Sequence, residues 1–307
     1  MQTPANSIRR KALELGFYKC GFAKAETLEE EKVIFQDYLS QKRNAGMHYL
    51  ERTPEKRLDP RLVMPEVQSV IAVIMNYFPA AVIPGQDNFI LAKYAYGKDY
   101  HTVLMEKMKV LGEYLKAELG ASHVRGFVDS APLLEKRWAQ RCGLGWIGKN
   151  TLLINKAAGS FFVIGVLLTD LILDPDMPEK DHCGSCDKCL KACPTGALVE
   201  PHKLDPERCI AYHTLENKAD LPETLRDRFN DRIYGCDICQ DACPFNAFAK
   251  PNSEPEFFVN PELYKMHKSD WISLTEKSFK ELFSETPVGH VGYARLMRNI
   301  RFATEKK

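Results

Sequence analysis

CGSCDKCLKACP, residues 183–194, places Cys183, Cys186, Cys189 and Cys193 at intervals of three, three and four, with Pro194 behind the last. In this spacing three close thiolates cap one face of a four-iron cubane, and the cysteine before proline turns away to a second cluster. Zinc sites favour two Cys-x2-Cys pairs parted by a longer loop and fit the pattern poorly. A shorter group, CDICQDACP, supplies Cys236, Cys239 and Cys243, with Cys209 alone between the two groups. With one ligand crossing over each way, cluster one takes Cys183, Cys186, Cys189 and Cys243. Cluster two takes Cys193, Cys209, Cys236 and Cys239. Eight thiolates then serve two 4Fe–4S clusters, with none left over. Compact two-cluster ferredoxins keep the second group together; here LPETLRDRFN, residues 221–230, reads as a helix inserted between Cys209 and Cys236. The alternative is that Cys209 is simply buried and cluster two has three protein thiolates. Clusters with exchanged ligands lie close together, so the module conducts electrons.

The rest of the chain limits what those electrons can do. With 307 residues, 45% of them hydrophobic, it is long enough for two domains of unequal size. A formal charge of +1 gives no global drive toward polyanions or membranes, so a nucleic-acid partner must meet a local basic patch. The longest apolar run, FFVIGVLL at residues 161–168, is too short to span a bilayer, and the N-terminus lacks a signal-peptide pattern. A cytoplasmic protein is expected. Clustered cysteines in such a compartment point to metal rather than disulfides. Cys20 and Cys142, outside the cluster, read as small buried residues.

Residues 1–175 read as a mixed α and β unit. SIRRKALELG and TLEEEKVIFQDYLSQKRN have helical patterns, while SVIAVIMNYF, residues 69–78, is a continuous β-branched run stopped by Pro79, as in a buried strand. Leu104, Met108, Leu111, Leu115 and Leu119 recur at helical spacing up to Gly120. SHVRGFVDS follows as a strand, APLLEKRWAQRCG as a helix, and TLLIN with SFFVIGVLLTDL as a pair of strands. No phosphate-cradling glycine loop and no nucleophile elbow is present. Asp129 reads either as a helix N-cap ahead of Pro132 or as a proton donor over a pocket. YAYGKDYH, with Tyr96, Asp99, Tyr100 and His101, reads as a capped helix start or a pocket wall. LGWIGKN, residues 144–150, reads as a turn or as a glycine wall against a large flat cofactor.

DSAPLLEKRWAQRCGLGWIGKNTLLI followed by CGSCDKCLKACPTGAL and CDICQDACPFN resembles the epoxyqueuosine reductase family, and YAYGKDYH is similar to a segment preceding these motifs there. The likeness covers nearly the whole chain. It implies an α+β protein: a mixed α/β cobalamin-binding domain of the nitroreductase and reductive-dehalogenase type at 1–175, and a two-cluster bacterial ferredoxin-like domain at 176–250. A short helical extension at 251–307 is expected to end without the helical-repeat tail of longer members. The implied reaction reduces an epoxide on a modified guanine at the tRNA wobble position to the alkene, the last step of queuosine synthesis. Implied cofactors are a base-off cobalamin and the two clusters, and the implied acid is Asp129, its pKa raised by shielding under the corrin. Arg57, Tyr96, Trp146, Gly148, Asn150 and Ser160 match cobalamin-facing segments, and His213 or Thr214 is expected near the corrin. The expected partners are tRNA carrying epoxyqueuosine and an electron donor of the flavodoxin or ferredoxin type, with the enzyme a monomer. Arg52, Lys56, Arg226, Arg228, Arg232, Arg295, Arg298, Arg301, Lys306 and Lys307 are the candidate phosphate contacts. The alternative activity is reduction of a small molecule in the manner of reductive dehalogenases.

Overall fold

The computed structural model describes residues 3–85 and 87–305. At its centre is a four-stranded antiparallel sheet, in the order Lys19–Lys24, Ser69–Asn76, Phe162–Thr169, Val124–Phe127. Ala72 of the second strand sits opposite Gly21 on one side and Val166 on the other. Side chains alternate across a strand, so one that is covered on both faces must be apolar throughout. Ile71, Val73 and Met75 enter a core beneath the helices Pro4–Glu14 and Tyr100–Leu119. Val70, Ala72 and Ile74 enter a second core beneath the helices Glu29–Ser40 and Glu135–Arg141. Helix layers on both faces make this a mixed α/β unit.

One packing detail positions the site. A Cβ on Gly165 would lie 2.3 Å from Met108 Sδ, and one on Gly126 would lie 2.9 Å from Met108 Cε. Side-chain-free positions on neighbouring strands thus let the helix Tyr100–Leu119 settle onto the sheet. Asp99 caps that helix, accepting the backbone N–H of His101 at 3.1 Å. Its first residues thereby face the loop leaving the strand Val124–Phe127.

Three expectations change. TLLIN does not pair with the long strand after it: Leu153–Ile154 forms a hairpin with Trp146–Ile147, while Phe162–Thr169 joins the main sheet. The helix expected from Ala131 begins at Glu135, so Asp129 is not its N-cap. LPETLRDRFN forms only a 3-10 turn over Glu223–Arg228, because Pro222 starts it and Asn230 and Asp231 both take positive φ just beyond it. Residues after 250 have no core to themselves. Trp271, Phe279, Phe283 and Ile300 pack with Ile83, Phe89, Leu91 and Tyr96, and Ile90–Leu91 pairs in parallel with Arg232–Tyr234. No helix among the described residues is long and apolar enough to cross a membrane.

Candidate active site and cluster-binding module

The eight clustered cysteines form no disulfide and converge as two sets of four. Cys183, Cys186, Cys189 and Cys243 line one small cavity, closed by Ile154 and Phe245. In the other set, the charge of Cys239 is felt against Cys236, Cys209 and Cys193. Burial and these thiol neighbours push Cys239 well up and Cys236 to about 12, so neither is a thiolate without a cation beside it. Four soft donors around one space in each set fit a metal–sulfide cubane. N–H groups already point at sulfur: Trp146 Nε1 donates to Cys183 Sγ at 3.4 Å, and the backbone of Ala197 donates to Cys193 Sγ at 3.3 Å.

A second site lies where the loop after Val124–Phe127 meets the start of Tyr100–Leu119. Asp129 holds a φ of +57°, which costs a non-glycine residue about 1–2 kcal/mol. Its Oδ2 accepts the Tyr100 hydroxyl at 3.0 Å and lies 3.5 Å from His101 Nε2. His101 Nδ1 is 2.8 Å from Asp99 Oδ1, and Asp99 Oδ2 is 2.6 Å from His290 Nε2. Burial acts to lower the His101 pKa, but bonds to Asp129 and Asp99 override it and bring the ring to about 9. Burial likewise works against ionisation of Asp99, yet its two histidines hold it down to about 2. Tyr100, buried and beside Asp129, is pushed up and stays a donor. Glu135, buried and facing the Asp129 charge, rises to about 8. Lys136 Nζ donates to the Thr151 carbonyl at 3.0 Å, and the adjacent Asn150 Nδ2 lies 3.5 Å from the Cys239 carbonyl, which links this loop to the second thiol set.

In the protein alone the Asp129 side chain is 67% exposed, and His101 first, then Tyr100, hold its pKa below the usual value. In the protein alone the proton of this pair therefore sits on His101.

Arg57 Nη2 donates to the Tyr49 carbonyl at 2.9 Å, and the half-exposed Tyr49 hydroxyl is raised to about 12 by partial desolvation and by the charges of Glu216 and Asp129. Arg57 Nε is buried and lacks a partner among the described residues. The other residues expected to face the cofactor have these neighbours within the protein. Trp146 is fully buried against Cys183, Phe245 and His182, and Asn150 lines the first thiol cavity. Gly148 is enclosed by its hairpin, where a Cβ would lie 2.3 Å from Ile154 Cδ1. Ser160 bonds Gln240 and Asn246, joining the sheet unit to the cysteine module. Tyr96 is a core residue. His213 bonds the carbonyl of Glu207 at 2.7 Å, and Thr214 is spent on Ile210 and on the N–H of Gly235. The turn readings were right locally, but sequence does not say which side a turn faces. Glu135, Tyr49, Glu216 and His290 were not singled out; the acidic residue inside DSAPLLE was the available signal for the first.

Several candidate phosphate contacts are also committed inward. Arg298 donates to the carbonyls of His213, Asn217 and Ala219, Arg295 to Leu215, and Arg226 to Phe302 and Glu305. Arg228 donates to the Pro194 carbonyl and Arg232 to that of Asn230. Arg52, Lys56 and Arg301 are exposed. Lys306 and Lys307 lie outside the described residues.

Residues 57–130 match the family described as epoxyqueuosine reductase QueG, and residues 182–246 match the 4Fe–4S double cluster binding domain. The epoxyqueuosine reductase of Cellulophaga algicola is 44% identical over 295 residues, 96% of each chain. That of Escherichia coli is 36% identical over 304 residues, 97% of this chain and 80% of the relative. A crystal structure of epoxyqueuosine reductase with an epoxyqueuosine-modified tRNA-Tyr stem loop superposes at a TM-score of 0.90 with 32% identity, covering 97% of this chain and 80% of that one. A Bacillus subtilis epoxyqueuosine reductase whose aspartate-bearing catalytic loop is swung out of the active site superposes at 0.88 with 31% identity, over the same shares. Near-complete coverage at these identities, on a fold that carries a two-cluster iron–sulfur module, leads to one conclusion: this chain belongs to the epoxyqueuosine reductase family of oxidoreductases.

Proposed function

We propose that this protein reduces epoxyqueuosine to queuosine at the wobble position of tRNA, with Asp129 as the proton donor. Two electrons and two protons convert the epoxide to an alkene and release its oxygen as water. Cys183, Cys186, Cys189 and Cys243 hold one cluster, and Cys193, Cys209, Cys236 and Cys239 the other. When bound, the clusters would pass single electrons, and a base-off cobalamin held in the Asp129 cleft would supply a low-valent cobalt able to take up two. A flavodoxin or ferredoxin donor passes electrons into one thiol set, and the other set hands them on to the cofactor.

The observation that carries this reading is the Asp129 carboxyl on an open cleft, bonded by Tyr100 and His101. An alkoxide is a poor leaving group, so its oxygen needs a proton as the C–O bond breaks. His101, charged at neutral pH, holds that proton, and Asp129 relays it to the departing oxygen. Asp99 and His290 orient the His101 ring. Arg57 offers its unpartnered Nε to a polar edge of the cofactor, and Tyr96, Trp146, Gly148, Asn150, Ser160, His213 and Thr214 belong to the segments expected to face it. Residues 1–175 make the catalytic unit, 176–250 the electron module, and 251–307 a brace that supplies His290. The enzyme works in the cytoplasm as a monomer.

The test is anaerobic turnover. Protein reconstituted with iron and sulfide receives a chemical reductant and tRNA carrying epoxyqueuosine, with or without cobalamin, and digested nucleosides are weighed. Loss of one oxygen mass only with cobalamin is expected. No conversion, with cobalamin bound and clusters intact, removes the tRNA reading and leaves a small-molecule reductase.

A further inference from the structure

Asp129 reaches its place only through an unusual backbone, and a side chain outside the turn holds that backbone. The turn is three residues long, closed by the Ser130 N–H on the Val128 carbonyl at 2.6 Å, with Asp129 at its centre at a φ of +57°. Three-residue turns of this hand are strained. Ala131 and Leu133 anchor the far side of the loop in the core, whereas Asp129 and Ser130 are exposed. Glu135 Oε1 accepts the backbone N–H of Asp129 at 2.7 Å. Glu135 opens a helix fixed by buried Trp138 and Ala139, so the acceptor stands on a rigid element.

We propose that Glu135 is a positioning residue that latches the strained Asp129 turn from the first turn of its helix, keeping the Asp129 carboxyl directed at Tyr100 and His101. The role rests on Asp129 being the proton donor. Tyr100 and His101 grip the carboxylate alone, so without the latch the peptide before Asp129 relaxes to negative φ and carries the carboxyl out of the cleft. The position requires an acceptor of glutamate length rather than a charge.

The test compares Glu135→Met, which keeps length and removes the acceptor, with Glu135→Gln, which keeps an amide oxygen in place. Both are made in the reconstituted enzyme, read by turnover and by hydrogen–deuterium exchange of residues 128–131. E135M is expected to lower kcat about tenfold, the worth of one such hydrogen bond, with KM for tRNA unchanged and faster exchange confined to this loop. E135Q is expected to match the parent in both. Unchanged exchange in E135M, or E135Q as impaired as E135M, overturns the latch. Should E135M fail to fold, Glu135→Asp, one methylene short, must show the same two losses or the proposal falls. Exchange needs no substrate, so an inactive parent enzyme would sink the functional reading while the latch is still decided.

Discussion

His101 Nε2 stands 3.5 Å from Asp129 Oδ2. The pair shares one proton between an acid held below its usual pKa and a ring held above its own. The expectation of a protonated aspartate was made for a carboxyl shielded under a corrin; in the protein alone the proton favours His101. An imidazolium bonded to two carboxylates is a better proton store than an exposed carboxyl.

Asp129→Asn keeps the shape and the Tyr100 bond but has no proton to give. Turnover should fall by about 100-fold or more, as for loss of a positioned general acid, while iron content and cobalamin uptake match the parent. Single-turnover assay and visible absorbance measure both on one sample, and unchanged turnover would falsify the assignment.

The His101 shift sets a pH window. Its pKa rises from 6.5 to about 9 on folding, so the stabilisation it brings is complete below pH 6.5 and is lost as pH climbs through 9. Turnover that draws on its proton should fade over the same alkaline limb. His101→Gln should flatten the fall in unfolding free energy between those values and remove that limb, as read by denaturant titrations and rates across pH. A parent enzyme whose stability holds constant from pH 7 to 10 would contradict the pairing.

The thiol groups were legible in the sequence because cysteine spacing is a local constraint: thiols three apart on a tight turn meet at one point whatever surrounds them. Ser69 to Asn76 was legible for the same kind of reason, since only a strand buried on both faces needs an unbroken apolar run. The cleft was not. Asp129 is placed by a positive φ that no propensity predicts, and His290 comes from a segment nearly two hundred positions away to meet Asp99. Around Trp146 and Asn150 the flanking glycines let the hairpin close, since a Cβ on Gly145 or Gly148 would meet Ile154, a close approach that residue pattern alone does not give.

Iron content separates structural cysteines from ligands. Cys209→Ser should lower bound iron from about eight atoms per chain toward four, because one cubane loses a thiolate. Cys142→Ser should leave iron unchanged, since that thiol is buried and faces the Val70 carbonyl at 3.6 Å. Equal iron in both variants would make Cys209 a packing residue.

The inward use of its arginines changes where tRNA would be held. Arg298 donates to three carbonyls of residues 213–219. Arg298→Ala should therefore cost about 2–3 kcal/mol of stability and leave the salt dependence of tRNA binding as it was. Arg52 and Lys56 are exposed on the segment that carries Tyr49 and Arg57 and, unlike Arg298, are open to a phosphate. Replacing both with alanine should weaken tRNA binding and lower the slope of log affinity against log salt by about two, one for each phosphate left without its cation, with thermal stability unaltered. Fluorescence titrations at several salt concentrations measure that slope. If the double variant keeps the parent slope, phosphates are met by another face, and exposed Arg301 at the chain's far end becomes the side chain to replace.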